Sequence, residues 1–117
     1  MDDAMDAAVR SYVDAIPDPV RAAFDRVHEA VLRGHPDVEV MMSYQMPTYR
    51  LGRRRLHVGA WRHGLSIYGW DQARNAAFAR RHPGLLAGRG TLRLGTDDLA
   101  DLSDDELAEL IDNALAE

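Results

Sequence analysis

Two short alternating runs, RLHVGAW at 55–61 and LSIYGW at 65–70, constrain this chain more than any other feature. Successive side chains of a strand point to opposite faces. Leu56, Val58 and Ala60 therefore share one side, and His57, Gly59 and Trp61 share the other. In the second run Leu65 and Ile67 face a core, while Ser66, Tyr68 and Trp70 point the opposite way. Only Arg62-His63-Gly64 separates the runs, which is too short for a parallel crossover, so the strands form an antiparallel meander. TYRL at 48–51 reads as a third strand ended by Gly52-Arg53, and TLRL at 91–94 as the last strand. VEVMMSYQMP at 38–47 is ambiguous between a short helix and a loop entering a strand, with Pro47 favouring an extended Met46.

A different period flanks these strands. Met5, Ala8, Val9, Tyr12, Val13 and Ile16 lie at helical spacing within 4–16, and Val20, Phe24, Val27 and Val31 form the clearest amphipathic stripe. Asp18-Pro19 has the form of an N-cap followed by proline in the first turn, and Gly34, His35 and Pro36 stop the helix. Asp71 is placed to cap a helix through about Arg81 that packs Ala73, Ala77 and Phe78. Leu85-Leu86 suggests a short turn. Ser103 and Glu106 form a capping box ahead of Leu107, Leu110, Ile111, Ala114 and Leu115. The expected order is helix, helix, three strands, helix, strand, helix. Sheet and helices each have one apolar side to bury. The predicted fold is therefore α+β: a compact single domain over 1–117, mainly antiparallel, with four or five strands and three or four helices on one face.

At 117 residues, with 46% apolar and 28% charged side chains, the chain suits one core. The absence of cysteine excludes disulfides, thiolate metal sites and cysteine nucleophiles, and the absence of lysine excludes Schiff-base and P-loop chemistry. No apolar run is long enough to span a bilayer, and MDDAMDAAVR lacks the pattern of a secretory signal, so a cytoplasmic location is expected. Charge is strongly segregated. Residues 50–93 hold ten arginines against Asp71 alone, whereas 94–117 hold nine acids and no arginine. Residues 1–49 hold nine acids and four arginines.

The segment SYQMPTYRLGRRRLHVGAWRHGLSIYGW at 43–70 resembles the YdhG-like bacterial family, also called domain of unknown function 1801. The resemblance rests on Tyr44, Met46, Pro47, Tyr49, Gly52, His57, Ala60, Trp61, His63 and Tyr68. It extends to Gly88-Arg89-Gly90-Thr91-Leu92-Arg93-Leu94 and to the flanking helices. It implies a compact α/β shape similar to frataxin's, iron binding and delivery as a role, and an iron-acceptor protein as partner. It supplies no catalytic residues. After Leu94 the chain departs from the family pattern, with Gly95-Thr96-Asp97-Asp98-Leu99 where an aromatic residue and prolines are usual.

Iron favours hard carboxylate oxygens. Asp2 and Asp6 lie one helical turn apart, as do Asp101 and Asp105 if that stretch is helical, and these four are the candidate metal ligands. Helix capping and solvation account for the same residues. The second reading is a site for an anionic ligand or single-stranded nucleic acid, built from the interleaved arginines and aromatics of the centre. Its candidate residues are Tyr49, Arg50, His57, Trp61, Tyr68 and Arg89. The acidic termini argue against nucleic acid unless the fold separates the two signs. An enzyme is the third reading and the least supported. The five histidines show no HExxH spacing, and Ser66 lies in no nucleophile-elbow motif, so no catalytic residue is assigned.

Overall fold

A computed structural model describes residues 6–69, 73–88 and 90–116. Helix α1 (Ala7–Asp14) and helix α2 (Val20–Gly34) lead into four consecutive strands. These are β1 (Glu39–Ser43), β2 (Met46–Leu51), β3 (Arg54–Trp61) and β4 (Gly64–Tyr68). Helix α3 (Ala76–Arg81) and a 3-10 turn at Pro83–Leu85 precede β5 (Leu86–Gly88) and β6 (Thr91–Gly95). Helices α4 (Thr96–Asp101) and α5 (Asp104–Leu115) follow. All pairings among the six strands are antiparallel, in the order β1-β2-β3-β4-β6-β5. The α+β class expected from the alternation is the observed one.

Register places the apolar side chains of every strand on one face. Val40 stands opposite Tyr49, Tyr49 opposite Leu56, Val58 opposite Ile67, and Ile67 opposite Leu92. These residues form one buried cluster with Val9 and Val13 of α1, Phe24, Val27 and Val31 of α2, Leu99 of α4, and Leu107, Leu110 and Ile111 of α5. Among the described residues the helices all lie on this side. Burying each large apolar side chain contributes about 1.5–3 kcal/mol before conformational entropy is charged.

Several local readings are corrected. Residues 39–43 form a strand, because Tyr44 and Gln45, both at positive φ (53° and 64°), make a two-residue hairpin turn into β2. Pro47 is tolerated inside β2 because its nitrogen faces β3 where that ladder ends, at Thr48 opposite His57. Past this point a tyrosine hydroxyl substitutes for the missing strand: Ala60 donates its N–H to Tyr12 at 2.9 Å. Asp18 does not cap α2; Pro19 holds the N-cap position and no side chain bonds there. Helix α3 starts at Ala76 with Ala73 and Ala77 exposed, leaving Phe78 as its buried anchor, while Asp71 and Trp70 lie outside the described residues. Strand β5 and helix α4 were not expected, and both are short. Ser103 does cap α5, accepting from the Glu106 N–H at 3.1 Å.

Candidate functional site

The side of the sheet without helices carries the other half of each alternation. Reading across the strands, one row runs Met41, Thr48, His57, Tyr68, Thr91, and the next runs Ser43, Met46, Gly59, Ser66, Arg93. Glu39, Arg50 and Arg55 border one end, and Trp61, Gly64 and Gly95 border the other. The two large exposed hydrophobic residues among those described, Tyr44 at 78% and Tyr68 at 37%, both belong to this side. An exposed aromatic pair above an otherwise buried hydrophobic set suggests contact with a ligand.

His57 is the centre of this face. Its Nδ1 lies 2.7 Å from the hydroxyl of Thr48, which is itself fully buried and lies 3.2 Å from the Met46 carbonyl. The single hydroxyl proton of Thr48 is shared among the Met46 carbonyl, the Ser43 carbonyl and the imidazole, and the 2.7 Å contact to Nδ1 is the shortest of the three. Burial, and secondarily the charge of Arg55, hold the imidazole below its usual pKa and favour the neutral ring. Tyr44 closes one side of the imidazole edge-on, with ring centroids 5.4 Å apart. Tyr68 is the cross-strand partner of His57. Gly59 provides a low floor beside them: a Cβ there would meet the Met46 sulfur at 3.4 Å and the Tyr68 ring at 3.9 Å.

Toward the far end of β3 the Arg93 guanidinium lies over the Trp61 indole, 4.1 Å from its centroid, and His63 meets the same ring edge-on. The indole Nε1 is buried with no hydrogen-bond partner. Leaving a buried donor unpaired costs about 1–3 kcal/mol. Trp61 also borders a groove of about 350 Å³ between β3 and the α1–α2 connection, lined further by Tyr12, Ile16 and Pro17.

Electrically the sheet and the C-terminal helices are opposites. Glu39 is the one acid in the described strands, and it is paired with Arg50 at 2.6 Å. Helices α4 and α5 carry eight acids and no arginine. Several are neutralised locally: Arg26 reaches Asp104, Arg81 reaches Glu106 and Glu109, and His82 lies 2.7 Å from Glu106. The hydrogen bond from His82 is the main reason the Glu106 carboxyl sits below its ordinary pKa. By contrast, no carboxylate of the described residues comes within ion-pair distance of Arg53, Arg55, Arg62 or Arg93.

No family model, curated protein or solved structure matches this chain.

The predicted site residues therefore separate. His57, Tyr68 and Trp61 share the open face, and Arg50 sits at its border. Tyr49 does not: it is fully buried on the helix side, its hydroxyl 2.8 Å from His28 Nδ1, because alternation places it with Leu51 and Leu56 rather than with Thr48. Arg89 and Asp2 lie outside the described residues. Asp6 is the N-cap of α1, accepting from the Val9 N–H at 2.9 Å. Asp101 and Asp105 fall on different helices, since Ser103 starts a new one, so the one-turn spacing does not apply. Among the described residues no group of three or more histidines and carboxylates is placed to hold a metal ion. Sequence reasoning missed Arg93, although the alternation of TLRL already set it opposite Leu92 and Leu94. It also grouped Tyr44 with the other aromatics without recognising its turn position.

Proposed function

We propose that this chain is a non-catalytic binding module whose helix-free sheet face holds an anionic ligand carrying a planar ring. The observation that carries the reading is the coincidence on one face of exposed aromatics with arginines that no described carboxylate pairs, while eight acids lie on α4 and α5 packed behind it. Aromatic side chains supply stacking surface, and arginines beside them supply charge-assisted hydrogen bonds to phosphate or carboxylate oxygens. The acids of α4 and α5 therefore do not oppose an anion at this face.

Iron delivery to an acceptor protein, the role implied by the YdhG-like resemblance, has less support. Its described candidates serve as an N-cap (Asp6) or stand on separate helices (Asp101, Asp105). Among the described residues no group of three or more histidines and carboxylates is placed to hold a metal ion, so the anionic-ligand reading is preferred. An enzyme reading gains nothing from Thr48 beside His57, because the hydroxyl is fully buried and engaged by backbone oxygens.

Amide chemical-shift mapping decides between these. A nucleoside monophosphate should move the signals of His57, Gly59, Tyr68 and Arg93, and inorganic phosphate should do so more weakly. If the nucleotide leaves that face unmoved, the reading is wrong. If ferrous iron instead shifts the amides around Asp6 or Asp97–Asp105 at stoichiometric concentration, iron carriage replaces it.

A further inference from the structure

The open face is elongated, and its charges sit at both ends rather than at its centre. Along β3 the outward positions are Arg55, His57, Gly59 and Trp61. At a rise of about 3.3 Å per residue, Arg55 and Trp61 are separated by roughly 20 Å. Arg55 stands at one end with no carboxylate partner among the described residues, and Arg93 lies over Trp61 at the other. Between them lie His57 and Tyr68, with the Met46 sulfur and the edge of the Tyr68 ring beside Gly59. One planar ring with one phosphate covers a single platform and reaches one end.

The geometry points to single-stranded nucleic acid as the ligand, laid along β3 with phosphates held at both ends and unpaired bases stacked between them. This rests on the anionic-ligand reading above and narrows it. Charge complementarity favours a polyanion, since no carboxylate of the described residues pairs with either terminal arginine while the neighbouring Arg50 is already neutralised by Glu39. Unpaired bases are required because a sheet face offers ring surfaces to stack on, and the bases of a duplex are stacked on one another. The interior of the track favours bases over further phosphates, because His57 and Tyr68 present ring surfaces there and no arginine stands between Arg55 and Trp61 on the outward side of β3.

Fluorescence anisotropy with labelled oligothymidylates of one, two, four and eight nucleotides tests this on the whole chain. Affinity should climb steeply with length until both ends are engaged, then flatten. For the octamer, the slope of log K against log salt should fall by about 0.7 in Arg55→Gln and again in Arg93→Gln, because each variant releases one fewer counterion. Tyr68→Ala should weaken the octamer by about ten-fold, the cost of one stacked base. All three side chains are exposed, and circular dichroism verifies that each variant is folded. A mononucleotide that binds as tightly as the octamer, with the same salt slope, overturns the nucleic-acid inference and leaves the smaller-ligand reading intact. A duplex that binds as tightly as the single strand also overturns it. Absence of binding by every probe removes both.

Discussion

Gly64→Ala tests the register that brings Trp61 and Arg93 together. Gly64 begins β4 opposite Trp61 on one side and Gly95 on the other. A Cβ built at Gly64 falls 2.1 Å from the Leu94 carbonyl oxygen, 2.7 Å from the Gly95 Cα and 2.9 Å from the Leu94 carbonyl carbon. All three are backbone atoms of β6, so no side chain can rotate away, and relief requires β4 and β6 to separate. Overpacking by one methyl costs about 1–3 kcal/mol where neighbours yield, and a backbone contact this close belongs at or beyond the upper end. A loss of about 3 kcal/mol lowers Tm by roughly 10–15 °C in a chain of this size. Gly84→Ala is the matched control, because a Cβ there meets nothing within 4 Å. It should change stability by less than about 0.5 kcal/mol. Urea denaturation at constant m-value reads both variants. If Gly64→Ala unfolds within 0.5 kcal/mol of the parent, as its control does, the β4–β6 register is wrong, and the Trp61–Arg93 platform built on it fails too.

Tyr12→Phe removes the hydroxyl that accepts the Ala60 N–H and should cost about 1–2 kcal/mol in denaturant titration. An unchanged midpoint would show that water serves Ala60 equally well. Replacing Tyr44-Gln45 by Asn-Gly, the pair best suited to a turn with two positive φ values, should stabilise the fold by about 1 kcal/mol while weakening oligonucleotide binding. A stabilised variant with undiminished affinity removes Tyr44 from the site. The folded-state pKa of His57 is lowered, so its contribution to stability is complete above its ordinary value of 6.5 and is lost as pH falls through the folded-state value. The stability advantage of the parent over His57→Gln should therefore shrink toward acid. In Arg55→Gln the His57 resonance should titrate at higher pH than in the parent; a downward move contradicts the assigned cause.

Much of the fold was legible where one period ran unbroken. The stripe from Val20 to Val31 and the alternation from Leu56 to Ile67 each admit one packing, and both were found as read. VEVMM was not legible as a strand: two adjacent methionines blur the alternation, and the signal that settles it is a hairpin turn made of tyrosine and glutamine rather than asparagine and glycine. TDDLAD reads as loop because one leucine, Leu99, is all that it buries. The site was half visible. His57, Trp61 and Tyr68 follow from parity within their own strands, but the placement of Tyr49 depends on which neighbour supplies the core face, and a slip of one residue inverts that answer. Pairing it with Leu51 was the available clue. The stacking of Arg93 on Trp61 reaches across β4 and leaves no trace in local sequence.

Separating the acids on α4 and α5 from the arginines of the sheet has a kinetic consequence. A protein of formal charge −5 repels a polyanion on average, but at physiological ionic strength fields fade within about 8 Å. Close to the surface the approaching strand feels only the hemisphere that it faces. For the proposed ligand, collisions at α4 and α5 would be disfavoured and those at the sheet favoured, so the uneven distribution would act as an orientation filter. Raising salt should slow the productive encounters through β3 while relaxing the rejection behind it.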